Sequence, residues 1–254
     1  MKSINYIIVL MFIGLRLCNA FGNVDHLSIP QSQPVDEATK SNLLSAFGKV
    51  SLHFVANHGQ FPEEVIYYAK SEGATVYCTE QGLTFGFSEG SISLKFSGEG
   101  ETSTRVKPEA QGELKGKVNY FIGNDPALWQ TDIPTFKEVV YREVYPGIDL
   151  VYSGDQRRLK YTFYLQPHSD SNQIQMIYDG IEGVWIDDAT GELVIQTEWG
   201  EMRDAAPVAY QEIEGVRQAV DISFRLIGEK RVGFALGDYD PNFMLTLDPG
   251  YSTY

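Results

Sequence analysis

Residues 91–97 have the sequence SISLKFS, in which the apolar Ile92, Leu94 and Phe96 alternate with polar side chains. Residues 220–226, VDISFRL, repeat the same alternation much later in the chain. Successive side chains of a strand point to opposite faces of a sheet, so this period is typical of antiparallel strands with one buried face. The two stretches therefore predict an all-β fold.

Turn-forming residues separate the strand-like runs at a spacing of about 8–12 residues, which is typical of sandwiches and barrels. Such turns occur at residues 88–90, 187–191, 214–215 and 228–230. Long helical patterns do not alternate with the strands, which excludes βαβ folds. We predict an antiparallel β-sandwich, which could consist of two packed sub-sandwiches, with very little helix.

Two short segments are the exceptions to the β pattern. In residues 125–129, Asp125 stands at the N-cap position of a helical turn and Pro126 at its first position, where both residue types are preferred. Asp170 can cap a turn through residues 171–173 in the same way. Neither segment is long enough to change the fold class.

Residues 1–20 have the pattern of a secretory signal peptide, because Lys2 precedes the apolar run 7–15 and small residues follow it. The run is short for a membrane span, and Arg16 interrupts it. A buried N-terminal strand or helix is one alternative. Another is a lipoprotein acylated at Cys18, although the residue before that cysteine is not small. We expect a secreted or cell-surface protein with no membrane span after signal removal.

The rest of the chain divides into a short lead-in and one large domain. Residues 21–48 contain Pro30 and Pro34 without any periodicity, which predicts a flexible lead-in. Residues 49–254 form the predicted β-rich domain. Within it, residues 99–113 contain glycine, proline and few apolar side chains. They predict a long loop that either separates two sub-domains or forms an exposed hairpin end.

Charge and cysteine content restrict the classes of partner and the sources of stability. The net charge of −14 argues against nucleic-acid binding, because neutralising phosphates needs clustered Lys and Arg. Signal removal would leave Cys78 as the single cysteine, so stability would depend on the hydrophobic core instead of disulfides. Cys78 lies in the β-prone run 75–79 without a basic neighbour, which predicts a buried cysteine in a strand.

Catalytic motifs are missing from the sequence. It contains no G-x-S-x-G, H-E-x-x-H or C-x-x-C motif and no phosphate-binding lysine loop. A glycosidase needs two converging carboxylates, and nothing marks one acidic pair among the many. Tyrosines could form a sugar-stacking surface, but core packing and cross-strand pairing explain them better. They are Tyr67, Tyr68, Tyr120, Tyr141, Tyr152, Tyr161 and Tyr164. We expect a protein that is not an enzyme and has no cofactor.

One segment resembles the start of a calcium-binding loop. Asp238, Asp240 and Asn242 place oxygen-bearing side chains at alternate positions. Phe243 stands where such loops have glycine, and Pro249 stands where they have a bidentate glutamate. A turn between two strands is therefore the favoured interpretation, and the three residues remain weak metal candidates.

Several ungapped phrases follow one another along the chain: NHGQ at 57–60, GKVNYFIGNDP at 116–126 followed by Trp129, YPGIDLVY at 145–152, LKYTF at 159–163, PVAYQEIEG at 207–215, LDP at 247–249 and YSTY at 251–254. Together and in this order they resemble a known family, the N-terminal domain of secreted bacterial proteins that carry SBBP-type β-propeller repeats. The similarity runs from about residue 50 to the last residue.

The resemblance implies a module of uncharacterised function that precedes extracellular propeller repeats, without established catalytic residues. In the family, the phrase YSTY normally continues into Leu-Gly-Gly and the first propeller repeat, whereas the present sequence ends at Tyr254. We therefore expect either a fragment or a family member that lacks its propeller.

Four polar residues within these phrases are the candidate binding residues: Asn57, Gln60, Asn119 and Asp149. The 57–60 phrase also suits a tight turn in which Gly59 has a positive φ. Asp149 lies in an apolar strand run. It would need a partner such as Lys160 or Arg158 if it pointed inward, and strand periodicity favours an outward orientation.

Together these observations predict a non-catalytic extracellular or cell-surface β-domain with a structural, adhesion or ligand-binding role, normally preceding a β-propeller. The expected partners are its own downstream propeller or a cell-surface glycan or protein, and not nucleic acid. The alternative is a secreted carbohydrate-binding or carbohydrate-active protein.

Overall fold

The computed structural model describes residues 52–71, 73–96, 105–121, 123–155 and 158–248, together with the backbone of residues 251–252. The predicted signal peptide at 1–20, with Cys18, and the predicted lead-in at 21–48 lie outside the described residues. The described residues belong to one unit, Leu44–Tyr254.

Almost all of the regular structure is antiparallel β, as the alternating pattern predicts. The strands of the described residues are β1 (Phe54–Ala56), β2 (Tyr67–Lys70), β3 (Thr75–Thr79), β4 (Gly82–Gly86), β5 (Ser91–Phe96), β6 (Glu109–Tyr120), β7 (Gln130–Tyr145), β8 (Ile148–Asp155), β9 (Arg158–Leu165), β10 (Met176–Asp179), β11 (Gly183–Ile186), β12 (Leu193–Thr197), β13 (Gly200–Asp204), β14 (Ala209–Ile213), β15 (Val216–Val220), β16 (Ile222–Gly228), β17 (Arg231–Leu236), β18 (Leu245–Leu247) and β19 (Tyr251–Ser252). The prediction of an all-β protein with very little helix is confirmed.

The helical content of the described residues is two 3-10 turns, Pro126–Leu128 and Ser171–Gln173. Both are capped as predicted, because Asp125 accepts a hydrogen bond from the Ala127 N–H at 2.9 Å and Asp170 accepts one from the Asn172 N–H at 3.0 Å. Neither turn has the length of a membrane-crossing helix, and the described part of the chain contains no other candidate for one.

The loop predicted over residues 99–113 is only partly correct. Residues 109–113 begin strand β6, which pairs with β7, so the prediction of a loop is wrong there. Residues 97–104 lie outside the described ranges. Strands from both sides of this segment share one sheet, because β5 and β10 pair with each other.

Fifteen strands form one large antiparallel sheet, and β11, β12, β13 and β19 form a smaller one. The large sheet divides at β7. One edge of β7 pairs with β6, and the other pairs first with β1 at residues 135–136 and then with β8 from residue 139 onward. Two arms therefore diverge from β7. The first arm has the order β8-β9-β18-β14-β15, and the second has the order β1-β2-β3-β4-β5-β10-β17-β16.

The two arms face each other across the core. The rings of Phe163 in β9 and Phe234 in β17 lie 6.0 Å apart between centroids. Tyr141 in β7 donates through its hydroxyl to the carbonyl oxygen of Gly82 at 3.1 Å. Cys78 is buried in β3, as its sequence context predicts.

The outermost strands of the two arms, β15 and β16, are consecutive in the chain, with Asp221 between them. The Asp221 carbonyl accepts a hydrogen bond from the Gly237 N–H at 2.8 Å. The chain thus links the two ends of the large sheet, which is nearly closed. Because its ends are linked in this way, the architecture is not clearly the predicted sandwich, nor a pair of sub-sandwiches.

Candidate functional site

Asn57, the first candidate binding residue, holds together the loop that follows β1. Its Nδ2 donates to the carbonyl oxygens of Phe61 at 3.0 Å, Pro62 at 3.0 Å and Val65 at 2.8 Å. Its Oδ1 accepts from the N–H groups of Gly59 and Phe61, both at 3.1 Å. Gly59 has a φ of +107°, as predicted for this turn. The side chain of Asn57 is therefore fully used in shaping its own loop.

Gln60 and Asn119 also bind backbone groups. Gln60 donates through Nε2 to the Ala56 carbonyl at 3.1 Å and accepts a short hydrogen bond from the His58 N–H. Asn119 in β6 accepts through Oδ1 from the N–H of Asp132 at 2.8 Å. Asp132 has a φ of +56°, which an L-residue rarely adopts without local support. Asn119 thus stabilises an irregular point of β7.

Asp149 points away from the core, as strand periodicity favours, because its neighbours Ile148 and Leu150 are both buried. Its Oδ2 accepts from Nη1 of Arg142 at 2.6 Å, and its Oδ1 accepts from the N–H of Glu143 at 2.8 Å. Glu143 has a φ of +46° and lies in the irregular part of the β7–β8 pairing. Asp149 therefore stabilises a second bulge of β7.

The alternative partners considered for Asp149 do not bind it. Lys160 donates to Oδ2 of Asp248 at 2.8 Å instead. Arg158, at the start of β9, is exposed, and its backbone pairs with Asp155 at the far end of the β8–β9 ladder.

The four candidate residues do not converge on one site. Asn119 binds β7 at residue 132 and Asp149 binds it at residues 142–143, which places them roughly 30 Å apart along the strand. The 57–60 turn lies at the same end of β7 as Asn119, since a Cβ atom on Gly59 would be 3.9 Å from Nε2 of Gln130. Asp149 is therefore the candidate that lies apart from the others.

The weak metal candidates form a turn. Asp240 accepts through Oδ1 from both the N–H and Nδ2 of Asn242, at 2.9 and 2.8 Å. Gln211 in β14 donates to the carbonyl oxygens of Asp240 and Phe243 at 2.7 and 3.1 Å. Asp238 is exposed. Within the described ranges, no group of three or more His, Cys, Asp or Glu side chains is placed to hold a metal ion.

The interior contains buried polar groups that the sequence did not reveal. Asp204 in β13 is fully buried, and the hydroxyl of Tyr161 donates to its Oδ2 at 2.8 Å. Oδ1 of Asp204 and the hydroxyl of Tyr152 have no hydrogen-bond partner among the described residues. We call Asp204, Tyr152 and Tyr161 the interior polar cluster. Burial raises the pKa of the Asp204 carboxyl well above its usual range, which favours the neutral acid.

The tyrosines of this region pack in the core. Tyr141, Tyr152 and Tyr161 are buried, and successive ring centroids lie 5.9 and 6.2 Å apart. Burial raises the pKa of the neighbouring Cys78 thiol, so the thiolate that a nucleophile requires is disfavoured. The preference for core packing over an exposed tyrosine surface is correct for these three rings.

A groove of about 610 Å³ opens beside β4 and β5. Glu63, Glu80, Arg105 and Lys107 line it, and all four side chains are exposed. The hydroxyls of Thr84 and Ser93, which also line the groove, hydrogen bond to each other at 3.3 Å. Mixed charges and hydroxyls of this kind suit a polar ligand such as a sugar.

The connection between β6 and β7 carries three large apolar side chains that are exposed. Phe121 is 61% exposed, Leu128 is 68% exposed and Trp129 is 38% exposed. The rings of Phe121 and Trp129 meet edge to face, with centroids 5.1 Å apart. We call residues 121–129 the aromatic tip. Every described residue of the tip is exposed.

Hydrogen bonds and ring packing fix the conformation of the aromatic tip, both at its base and between its own residues. At the base, the hydroxyl of Tyr120 hydrogen bonds to that of Tyr68, and both rings pack with buried Ile133 in a second apolar cluster. Within the tip, Trp129 donates through Nε1 to the Gly123 carbonyl at 3.3 Å. The sequence signal that could have indicated this surface is the placement of large apolar residues on both sides of a Gly-Asn-Asp-Pro turn, where polar residues are usual.

The chain was compared with protein families, curated proteins and solved structures. A family model described as Domain of unknown function (DUF7948) matches residues 54–250. The matched segment contains the aromatic tip, the groove and the interior polar cluster. No curated protein and no solved structure matches the chain.

Proposed function

The chain belongs to the family of the domain of unknown function DUF7948, and on that premise we propose that it is a non-catalytic extracellular or cell-surface module that binds through its aromatic tip. In this proposal the nearly closed sheet is a rigid support for the tip. Its facing arms act as the two layers of a sandwich. The module has an adhesion or ligand-binding role and normally precedes a β-propeller.

The exposure of the aromatic tip is the observation that carries this proposal. Phe121 and Leu128 leave most of their side-chain surface in water, at 61% and 68% exposure. Contiguous exposed apolar surface is unfavourable in isolation, and in stable proteins it marks interaction sites. The hydrogen bonds of Asp125 and Trp129 keep this surface in one conformation, which lowers the entropy cost of binding.

The extracellular part of the proposal rests on the sequence. Residues 1–20 have the pattern of an export signal, and the motif phrases resemble the N-terminal domain of secreted bacterial SBBP-repeat proteins. The low cysteine content is compatible with export because the core alone can stabilise a domain of this size.

The non-catalytic part rests on how the candidate residues are used. Three of the candidate side chains hydrogen bond to backbone N–H groups at turns and bulges: Asn57, Asn119 and Asp149. Such side chains hold the fold and are poorly placed to activate a substrate, because a general base needs free access to the proton that it takes.

The test is a binding screen of the purified exported protein against a glycan array and surface proteins. Trp129→Ala should lower the affinity for any true ligand by about tenfold or more, because aromatic anchors carry much of the energy of an interface. Trp185→Ala is the matched control, since Trp185 is similarly exposed, at 41%, but lies in β11 of the small sheet. Equal binding by both variants would contradict the proposal, as would turnover of glycans or esters that Asp149→Asn abolishes.

The second candidate is carbohydrate binding in the groove, favoured by the Thr84 and Ser93 hydroxyls beside Glu80 and Arg105. Hydroxyls and charged groups at close range are the usual hydrogen-bond partners of sugars. A glycan ligand lost in Glu80→Gln or Thr84→Val, but retained in Trp129→Ala, would assign the function to the groove.

A further inference from the structure

We propose that the aromatic tip docks on a lipid membrane, with Phe121, Leu128 and Trp129 inserted at the boundary between headgroups and acyl chains. This inference rests on the proposed function, since it names the partner of the same surface. Three features of the tip favour a lipid partner. The tip projects into solvent, its apolar area is small for a protein–protein interface, and several of its polar groups are paired internally.

The tip is a projection and not a cleft. It joins the ends of β6 and β7, and β6 has β7 as its partner strand among the described residues. Every described residue from 121 to 129 is exposed, so the described chain covers the tip only in part. Sites for small ligands are concave and enclose most of the ligand surface. A convex apolar projection cannot do this, but it can enter a fluid apolar phase.

The area of the tip is small for a protein–protein interface. Given the usual surface of such side chains, the exposed parts of Phe121, Leu128 and Trp129 amount to roughly 350 Å². A stable protein–protein interface buries about 800 Å² on each partner, of which roughly 450 Å² is apolar. Insertion into a membrane has no such minimum, because lipid surrounds each side chain from every direction.

Four N–H groups of the tip are already paired within it. The Leu128 N–H donates to the Asp125 carbonyl at 3.1 Å, and the Trp129 N–H donates to the Pro126 carbonyl at 3.2 Å. The indole N–H of Trp129 donates to Gly123, and the Asp125 carboxylate accepts from Ala127. Unpaired backbone groups are costly away from water, and this internal pairing lowers that cost. Tryptophan is also enriched at membrane–water interfaces.

The charges of the chain indicate which lipid surface it would bind. Asp125 is the one charged residue between positions 121 and 129, and the whole chain has a net charge of −14. The nearby Lys117 pairs with Glu113. Anionic membranes attract basic segments, which the tip lacks. The expected partner is therefore a neutral, zwitterionic surface bound through apolar contact, with little dependence on salt.

The experiment is co-flotation of the full exported chain with phosphatidylcholine vesicles. The wild type and the Trp185→Ala control should float with the vesicles, whereas Trp129→Ala and Leu128→Asp should lose binding by about tenfold or more. Leu128 is the most exposed of the three side chains, so Leu128→Asp should leave folding intact even if Trp129→Ala does not. Brominated acyl chains should quench tryptophan fluorescence in the wild type and much less in Trp129→Ala.

Two further conditions distinguish apolar insertion into the membrane from electrostatic attraction to it. Raising the salt concentration should leave vesicle binding unchanged, and adding phosphatidylglycerol should weaken it because of the negative charge of the chain. Stronger binding to phosphatidylglycerol, abolished by salt, would overturn the inference.

The outcomes also distinguish this inference from the proposed function. Absence of wild-type flotation overturns the lipid partner. If a glycan or protein then binds in a manner that depends on Trp129 and Leu128, the tip remains the binding surface and only its partner changes. If neither vesicles nor any screened molecule depends on these residues, both proposals are wrong.

Discussion

Two regions of this molecule reverse the usual distribution of side chains between inside and outside. The interior polar cluster buries the Asp204 carboxyl and two tyrosine hydroxyls. The aromatic tip exposes Phe121 and Leu128. Buried polar groups and exposed apolar surface are the informative exceptions in a folded protein, and these two exceptions differ in how the chain deals with them.

The interior polar cluster is satisfied only in part within the chain, because Oδ1 of Asp204 and the hydroxyl of Tyr152 have no hydrogen-bond partner among the described residues. Tyr161 donates to Asp204, and burial keeps that carboxyl in its neutral form. The aromatic tip has no such internal partners for its apolar groups, because the described residues leave most of Phe121 and Leu128 exposed. The interior cluster therefore contributes to folding, whereas the tip needs something outside the chain. Mutations in the two regions should accordingly affect different measurements.

The largest effect on stability is expected from Asp204→Ala. The substitution removes the acceptor of the Tyr161 hydroxyl and leaves a cavity, so the free energy of unfolding should fall by about 3 kcal/mol. Urea denaturation measures this change. Asp188→Ala is the control, since Asp188 is exposed. Equal stability of the two variants would show that the buried carboxyl is not held as described.

The second prediction concerns the pH dependence of stability. The pKa of Asp204 is raised in the folded state above the ordinary value of 3.8, so the folded protein holds a proton that the unfolded chain releases. Through this group, stability is highest below the unfolded pKa and falls by up to about 1.4 kcal/mol for each pH unit until the folded pKa is passed. The difference in unfolding free energy between wild type and Asp204→Asn should show this slope. A difference that does not vary with pH would contradict it.

A smaller loss is expected from Tyr141→Phe. The Tyr141 hydroxyl donates to the carbonyl oxygens of Thr79 and Gly82 at 2.9 and 3.1 Å. Losing these bonds while keeping the ring should lower the unfolding free energy by about 1–2 kcal/mol. The control is Tyr67→Phe, because Tyr67 is only half-buried and its ring packs on Phe136. Thermal denaturation of the two variants should separate them by several degrees.

The smallest change in stability is expected at the tip. Trp129→Ala should lower the free energy of unfolding by at most about 1 kcal/mol, since the side chain is exposed and loses one hydrogen bond, to the Gly123 carbonyl. Trp199→Ala should cost about 2 kcal/mol or more, because Trp199 is half-buried against Phe87. If Trp129→Ala were the more damaging of the two, the tip would be part of the core and its exposure would carry no functional meaning.

The alternating stretches allowed much of the fold to be predicted. Ile92, Leu94 and Phe96 are all buried, at 1%, 1% and 2% exposure. In the second stretch Phe224 is buried but Leu226 is 42% exposed, because β16 lies at the end of the large sheet. Alternation reveals which residues share a face, but it does not reveal how much of that face another layer covers.

The buried carboxyl of Asp204 and the bulges of β7 could be predicted only in part from the sequence, because both depend on contacts between residues that are distant in the chain. Asp204 shares a strand face with the apolar Met202, but nothing local shows how deeply that face is covered, and its depth results from packing of the small sheet on β9. Asp132 and Glu143 have positive φ angles at bulges of β7, and no turn motif in the sequence predicts these bulges. The motif phrases pointed to Asn119 and Asp149, which support those bulges.

The link at Asp221 affects how the large sheet can open. Free strand edges are where strands from other chains add and where aggregation begins. Two peptide units join Val220 to Ile222 and span at most about 7 Å, so the ends of β15 and β16 next to Asp221 cannot move further apart unless one of them leaves its neighbour in the sheet. A foreign strand could enter this gap only from the opposite end. No ladder of hydrogen bonds joins β15 to β16 among the described residues, and there a covalent connection limits how far the two ends of the large sheet can separate.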